Sequence, residues 1–170
     1  MSLFETATYT VLQKLKKNIE VREYPTFYLA NTISSKDKRL SNGFNNVFDY
    51  ISGANESKTK INMTTPVVST TYENTLSTGF VIPSKFKSDA PKPSNSNVTI
   101  ETIDYGQFIV IKFKGSWTEE HFNEVDQQLL DFVKESKYEI ISQRYILRYQ
   151  PPFIPSVFRR NEIMYRVKVI

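Results

Sequence analysis

The sequence predicts an α+β chain of 170 residues built from two similar halves. Three observations carry this expectation. Strand-like segments, a helix-like segment and a further strand pair follow one another in the same order twice. Both helix-like segments repeat apolar residues at spacings of three and four, whereas the strand-like ones are short and rich in β-branched and aromatic residues. A polar, proline-containing connection without periodicity, Ser84 to Asn97, separates the halves and reads as a mobile loop.

In the first half, Tyr9 to Leu15 and Ile19 to Tyr24 alternate partially and flank the polar Lys16-Lys17-Asn18, which predicts a hairpin. Phe27 to Ile33, set off by Pro25, is a third strand. Ser34 and Ser35 offer N-caps for a helix in which Leu40, Phe44, Val47, Phe48 and Ile51 share a stripe, with Gly53 at its end. Val67 to Tyr72 and Thr78 to Ile82 follow as strands. In the second half, Val98 to Ile103 and Gln107 to Lys114 form a hairpin around Asp104-Tyr105-Gly106. Ser116 or Thr118 caps a helix carrying Phe122, Val125, Leu129, Phe132 and Val133, which ends near Ser136 or Lys137. Ile140 to Tyr149 and Glu162 to Val169 are the last strands, joined through Pro151, Pro152 and Pro155.

Composition removes whole classes of chemistry. The absence of cysteine excludes disulfides, thiolate metal sites and a cysteine nucleophile. A single histidine, His121, and five scattered glycines leave no phosphate loop and no metal cluster of familiar spacing. Glu119, Glu120, Glu101 and Asp104 are read as helix-end and hairpin-edge charges, so no catalytic residue and no metal ligand is nominated. Net charge is only +4, with both signs interleaved, which does not suggest a nucleic-acid partner. No apolar run approaches the roughly 20 residues that span a bilayer, and the N-terminus lacks a basic segment followed by an apolar one; a cytoplasmic, monomeric chain is expected.

Four separated pieces stand in a recognisable order: YTVLQKL (Tyr9 to Leu15) with IEVREYPTFYLANT (Ile19 to Thr32), FDYISGAN (Phe48 to Asn55), KINMTTPV (Lys60 to Val67), and YQPPFIPSVFRRNEIM (Tyr149 to Met164). Together they resemble the SOUL/heme-binding-protein family as one domain over the whole chain, with an ordered core of about residues 8–170. The resemblance implies a distorted, mostly antiparallel β-barrel of two pseudo-twofold-related halves flanked by two α-helices, the architecture also found in gyrase-inhibitor-like effector-binding domains. It implies non-catalytic binding of heme or another tetrapyrrole, as a carrier or buffer, in an apolar cleft beside the first helix. The alternative is a sensor or carrier whose ligand is a different planar or amphipathic compound.

The site residues that this resemblance points to are Leu40, Phe44, Val47, Phe48 and Ile51 on the helix, Met63 in KINMTTPV, and Arg159 in the C-terminal loop. Val47 and Ile51 are expected to pack inward, while so wide a stripe leaves Phe44 or Phe48 to face a ligand. Positions that are basic in the heme-binding branch read here as Ser41, Asp49 and Ile154, so propionate pairing would fall to Lys38, Arg39, Arg159 or Arg160. His121 does not align with the family's proposed ligand. Arg159 and Arg160 have a second reading, as internal partners of Glu162.

Overall fold

The computed structural model describes residues 4–35 and 40–170. In chain order the elements are β1 (Glu5–Thr6), β2 (Thr10–Lys14), β3 (Ile19–Tyr24), β4 (Phe27–Ser35), α1 (Leu40–Ile51), β5 (Thr64–Thr65), β6 (Val67–Tyr72), β7 (Thr75–Val81), β8 (Val98–Ile103), β9 (Gly106–Lys114), α2 (Glu119–Lys134), β10 (Tyr138–Ile140), β11 (Tyr145–Arg148) and β12 (Arg160–Val169). They form two compact units, one of residues 1–7 and 26–104, the other of residues 8–25 and 105–170.

The first unit holds an antiparallel sheet in the order β6-β7-β4-β8. Helix α1 packs on β4, β7 and β8. Between them lies a core of Ala30, Val47, Tyr50, Ile51, Ile61 and Phe80, closed by Ile82 and Val98. Gly53 ends the helix with φ +121°, a conformation that side-chain-bearing residues rarely adopt. KINMTTPV runs back from this point: Ile61 N–H donates to the Ile51 carbonyl at 2.8 Å, and Thr64–Thr65 pairs in parallel with Glu5–Thr6.

The second unit holds the order β2-β3-β9-β12-β11, with β10 also on β12. Helix α2 packs on β9 and β10 over a core that includes Ile19, Val21, Ile109, Ile111, Leu129 and Ile163. Thr118 caps α2 by accepting the His121 N–H at 3.2 Å. Glu119 and Glu120 in its first turn and Lys134 in its last complement the helix dipole.

The duplication expected from sequence is visible in the pairing. In β4-α1-β6-β7 the last strand lies between the other two, and in β9-α2-β11-β12 it does so again. The strand leading into each repeat is placed in the other unit: β3 pairs with β9, and β8 pairs with β4.

Four expectations need correction. Within each unit the end strands of the order do not pair with one another, so each sheet is open and covered by its helix, not a closed barrel. Ser34 and Ser35 do not cap α1; they extend β4, facing Leu76 and Thr75 across the ladder. The segment 140–149 is two strands, because Arg144 turns out to meet Asn123 and Asp126 of α2 at 2.9 and 3.2 Å, interrupting the ladder. Finally, the connection 84–97 lies inside the first unit and is tied down: Tyr50 donates to the Pro91 carbonyl at 2.6 Å, Glu56 N–H to Lys92, and Ser94 N–H to Ala54.

Candidate functional site

Helix α1 divides its apolar stripe between two roles. Val47, Tyr50 and Ile51 are buried against the sheet, whereas Phe44 is 36% and Phe48 43% exposed. The two phenylalanines sit one turn apart, so their rings stack, with centroids 6.1 Å apart and planes at 14°. Phe44 also leans on the buried Phe80 ring at 5.4 Å, which fixes the pair to the sheet. The outcome is an aromatic platform of two parallel, part-exposed rings. Asp49, exposed, follows Phe48 directly. Met63 is half-buried on the edge of the same core. The side chains of Leu40 and Ser41, and all of Lys38 and Arg39, lie outside the described residues.

Arg159 belongs to the second unit and is occupied there. Its Nε donates to the Ile154 carbonyl and one terminal nitrogen to the Pro152 carbonyl, both at 2.8 Å. The guanidinium lies 4.3 Å from the Trp117 ring centre. Trp117 in turn donates to Asn161 at 2.7 Å. His121 is likewise engaged: its ring lies 3.0 Å from the Lys114 carbonyl and edge-on to Phe113.

Glu162, fully buried, is the centre of a charged cluster. Arg22 grips it with both terminal nitrogens at 2.7 and 2.8 Å, and its Nε reaches Glu20 at 2.6 Å. Arg160 donates to Glu162 at 2.8 Å and Tyr149 does so at 2.8 Å; Lys112 reaches Glu20 at 3.3 Å. Tyr9 and Tyr149 cover the two guanidinium planes. Burial pushes the Glu162 carboxyl up, but the hydrogen bonds and charge of Arg22, joined by Arg160, outweigh it and hold it below its ordinary value. Burial, then Glu162, push the Tyr149 hydroxyl far up. Glu162 is thus held charged and Tyr149 held protonated, so neither titrates near the working pH as a general acid or base would. This cluster is a strut. Among the described residues no group of three or more His, Cys, Asp or Glu could hold a metal ion, and no helix is long and apolar enough to cross a membrane.

Sequence reasoning missed a cleft of about 540 Å³ in the second unit, between the β2–β3 turn and the last turns of α2, lined by Lys16, Asn18, Gln128, Asp131, Phe132 and Glu135 among others. Lys16 already lies 5.0 Å over the Phe132 ring, and the charged residues in the rest of the lining are Asp131 and Glu135. No local pattern in the sequence announces such a cleft, since it joins residues of a turn to one face of a distant helix.

The duplicated strand–helix–hairpin arrangement places the chain in the α+β class. The family model described as SOUL heme-binding protein matches residues 4–166, and the chain belongs to that family. It is 29% identical to mouse Heme-binding protein 2 over 156 residues, 85% of this chain and 75% of that protein. Human Heme-binding protein 2 is 35% identical over 92 residues, 48% of this chain and 45% of that protein. Among solved structures, the EcmrR C-terminal domain shares the fold, with a TM-score of 0.67 at 11% identity, covering 95% of this chain and 99% of that one.

Proposed function

We propose that the outer face of α1, centred on Phe44 and Phe48, is one wall of a binding site for heme or another tetrapyrrole, and that the protein acts as a carrier or buffer of that ligand. The observation that supports this reading most is the stacked, part-exposed phenylalanine pair braced by Phe80. An isolated exposed apolar side chain needs no explanation, but two rings held parallel to one another and braced from below offer an aromatic ligand a fixed apolar contact. Burying about 300 Å² of apolar surface there contributes on the order of 7 kcal/mol before association costs, which sets micromolar binding as the scale. His121 is committed to the Lys114 carbonyl, so the platform binds by packing and not through that imidazole.

Hemin titration followed at the Soret band tests this. Wild type is expected to saturate at one equivalent, Phe44→Asp to weaken binding at least about tenfold, and His121→Ala to leave the band unchanged. Equal affinity in wild type and Phe44→Asp would remove α1 from the site. Asp49, exposed beside Phe48, favours a second reading in which the ligand is a lipophilic cation. Saturable binding of tetraphenylphosphonium that is lost in Asp49→Asn, with no hemin binding, would select it.

A further inference from the structure

The Pro-rich loop before β12 is unlike the other loops in what it shows to solvent. Phe153 is 82%, Val157 64% and Phe158 68% exposed. Exposure of this kind usually accompanies mobility, yet here the backbone is closely held. Ile154 N–H donates to Pro151, Phe158 N–H to Pro155 and Arg159 N–H to Ser156; Gly115 N–H also donates to Ser156. The Arg159 side chain ties the carbonyls of Pro152 and Ile154 while resting on Trp117. Pro151, Pro152 and Pro155 have no N–H to satisfy. Most of the polar backbone of residues 151–158 is therefore either paired within the protein or absent, while the apolar side chains point outward.

We infer that this loop is a wedge for the surface of an anionic lipid bilayer, with Phe153, Val157 and Phe158 entering the acyl boundary. Irregular backbone is excluded from hydrocarbon chiefly by its unpaired polar groups, and the proline and Arg159 contacts of this loop reduce their number, which suits shallow insertion at the acyl boundary. The charge offered to lipid is local: Arg144 and Arg160 are paired with Asp126 and Glu162, while Lys114 at the loop's base is exposed. Lys114 stands opposite part-exposed Arg160 in the β9–β12 ladder; Glu162 offsets Arg160, so Lys114 is the cation presented to a lipid phosphate there. A protein partner is less well matched, since three side chains bury far less than the roughly 800 Å² per partner of a stable interface. A bilayer needs only a few anchors with cations beside them.

Co-sedimentation of the hemin-free protein with vesicles of phosphatidylcholine, with and without phosphatidylserine, is the test. Wild type should bind the mixed vesicles, more weakly as salt rises, and Phe153→Ser with Phe158→Ser should lower the partition coefficient by roughly tenfold or more at unchanged thermal stability. Phe153→Trp fluorescence should be quenched by brominated acyl chains. Unchanged partitioning of the double variant, or no binding by wild type, would overturn the inference. So would concentration-dependent self-association that the double variant abolishes without any vesicle binding.

Discussion

Glu162 shows how one residue can hold several segments together. It accepts from Arg22, which is 140 residues away in sequence, and from Arg160 and Tyr149. Glu162→Gln removes the charge but leaves two guanidinium groups facing it, and a loss of about 3–5 kcal/mol is expected in denaturant unfolding. Because its folded pKa lies below the unfolded value, Glu162 contributes stability in full above about pH 4.5, and that contribution is lost as pH falls through the depressed folded pKa. Glu20 acts with the same sign, since Arg22 and Lys112 outweigh the upward push of its burial. Glu101, raised by burial against a partial offset from Asn31, acts with the opposite sign. Acid unfolding of Glu162→Gln should therefore be shallower than that of wild type. Gly115 offers a second test: it sits at φ +126°, and an added Cβ would lie 2.7 Å from His121 Nε2. Gly115→Ala should cost more than about 1 kcal/mol, and His121→Ala in the same chain should recover part of that loss but not the backbone strain.

Among the elements, legibility followed the range of the forces involved. Ile19–Tyr24, Val67–Tyr72 and Val98–Ile103 were readable to the residue because alternation and turn residues bound them locally. Ser34 and Ser35 were not, because a serine that could cap a helix is equally content in a ladder, and only the partner strand β7 decides. The break between β10 and β11 depends on Arg144 finding Asp126 on a helix, which no window of sequence contains. On α1 both the stripe and its division were visible, with Val47 and Ile51 packing inward and Phe44 and Phe48 left part-exposed, but spacing omitted the buried Tyr50 altogether. Burial pushes the Tyr50 hydroxyl up to about 12, so it stays protonated and donates to Pro91 over the working pH range. Tyr50→Phe should cost about 1 kcal/mol and increase proteolytic nicking within 84–97, which limited digestion can measure. RRNE, too, could be read only as a pair of alternatives. The register that turns Arg160 toward Glu162 and Arg159 toward the loop is set by the start of β12 on β9.

For the chain as a whole, the exchange of leading strands makes the two units unequal. Residues 26–104 carry the sheet β6-β7-β4-β8 and its helix in one continuous piece. The other unit draws on two pieces, and residues 105–170 alone would lack β3 and Arg22, leaving Glu162 buried with Arg160 but without its bidentate partner. A polypeptide of residues 26–104 should therefore retain strand and helix signals by circular dichroism. One of residues 105–170 should not, until a peptide of residues 8–25 is added. Which strand completes which unit was hidden, since hydrophobic patterning records that a face is covered but not by what.

The same exchange sets a timetable for synthesis. Strands β2 and β3 are made well before β9, the strand that covers β3, which follows only after the whole of residues 26–104. For that interval Ile19 and Val21, both buried in the finished protein, have no sheet to enter. Pairing across so long a separation is slow to nucleate. The nascent chain thus carries an apolar hairpin that must be kept from wrong partners while the other unit assembles, so dependence on holding chaperones is expected to be concentrated in residues 8–25.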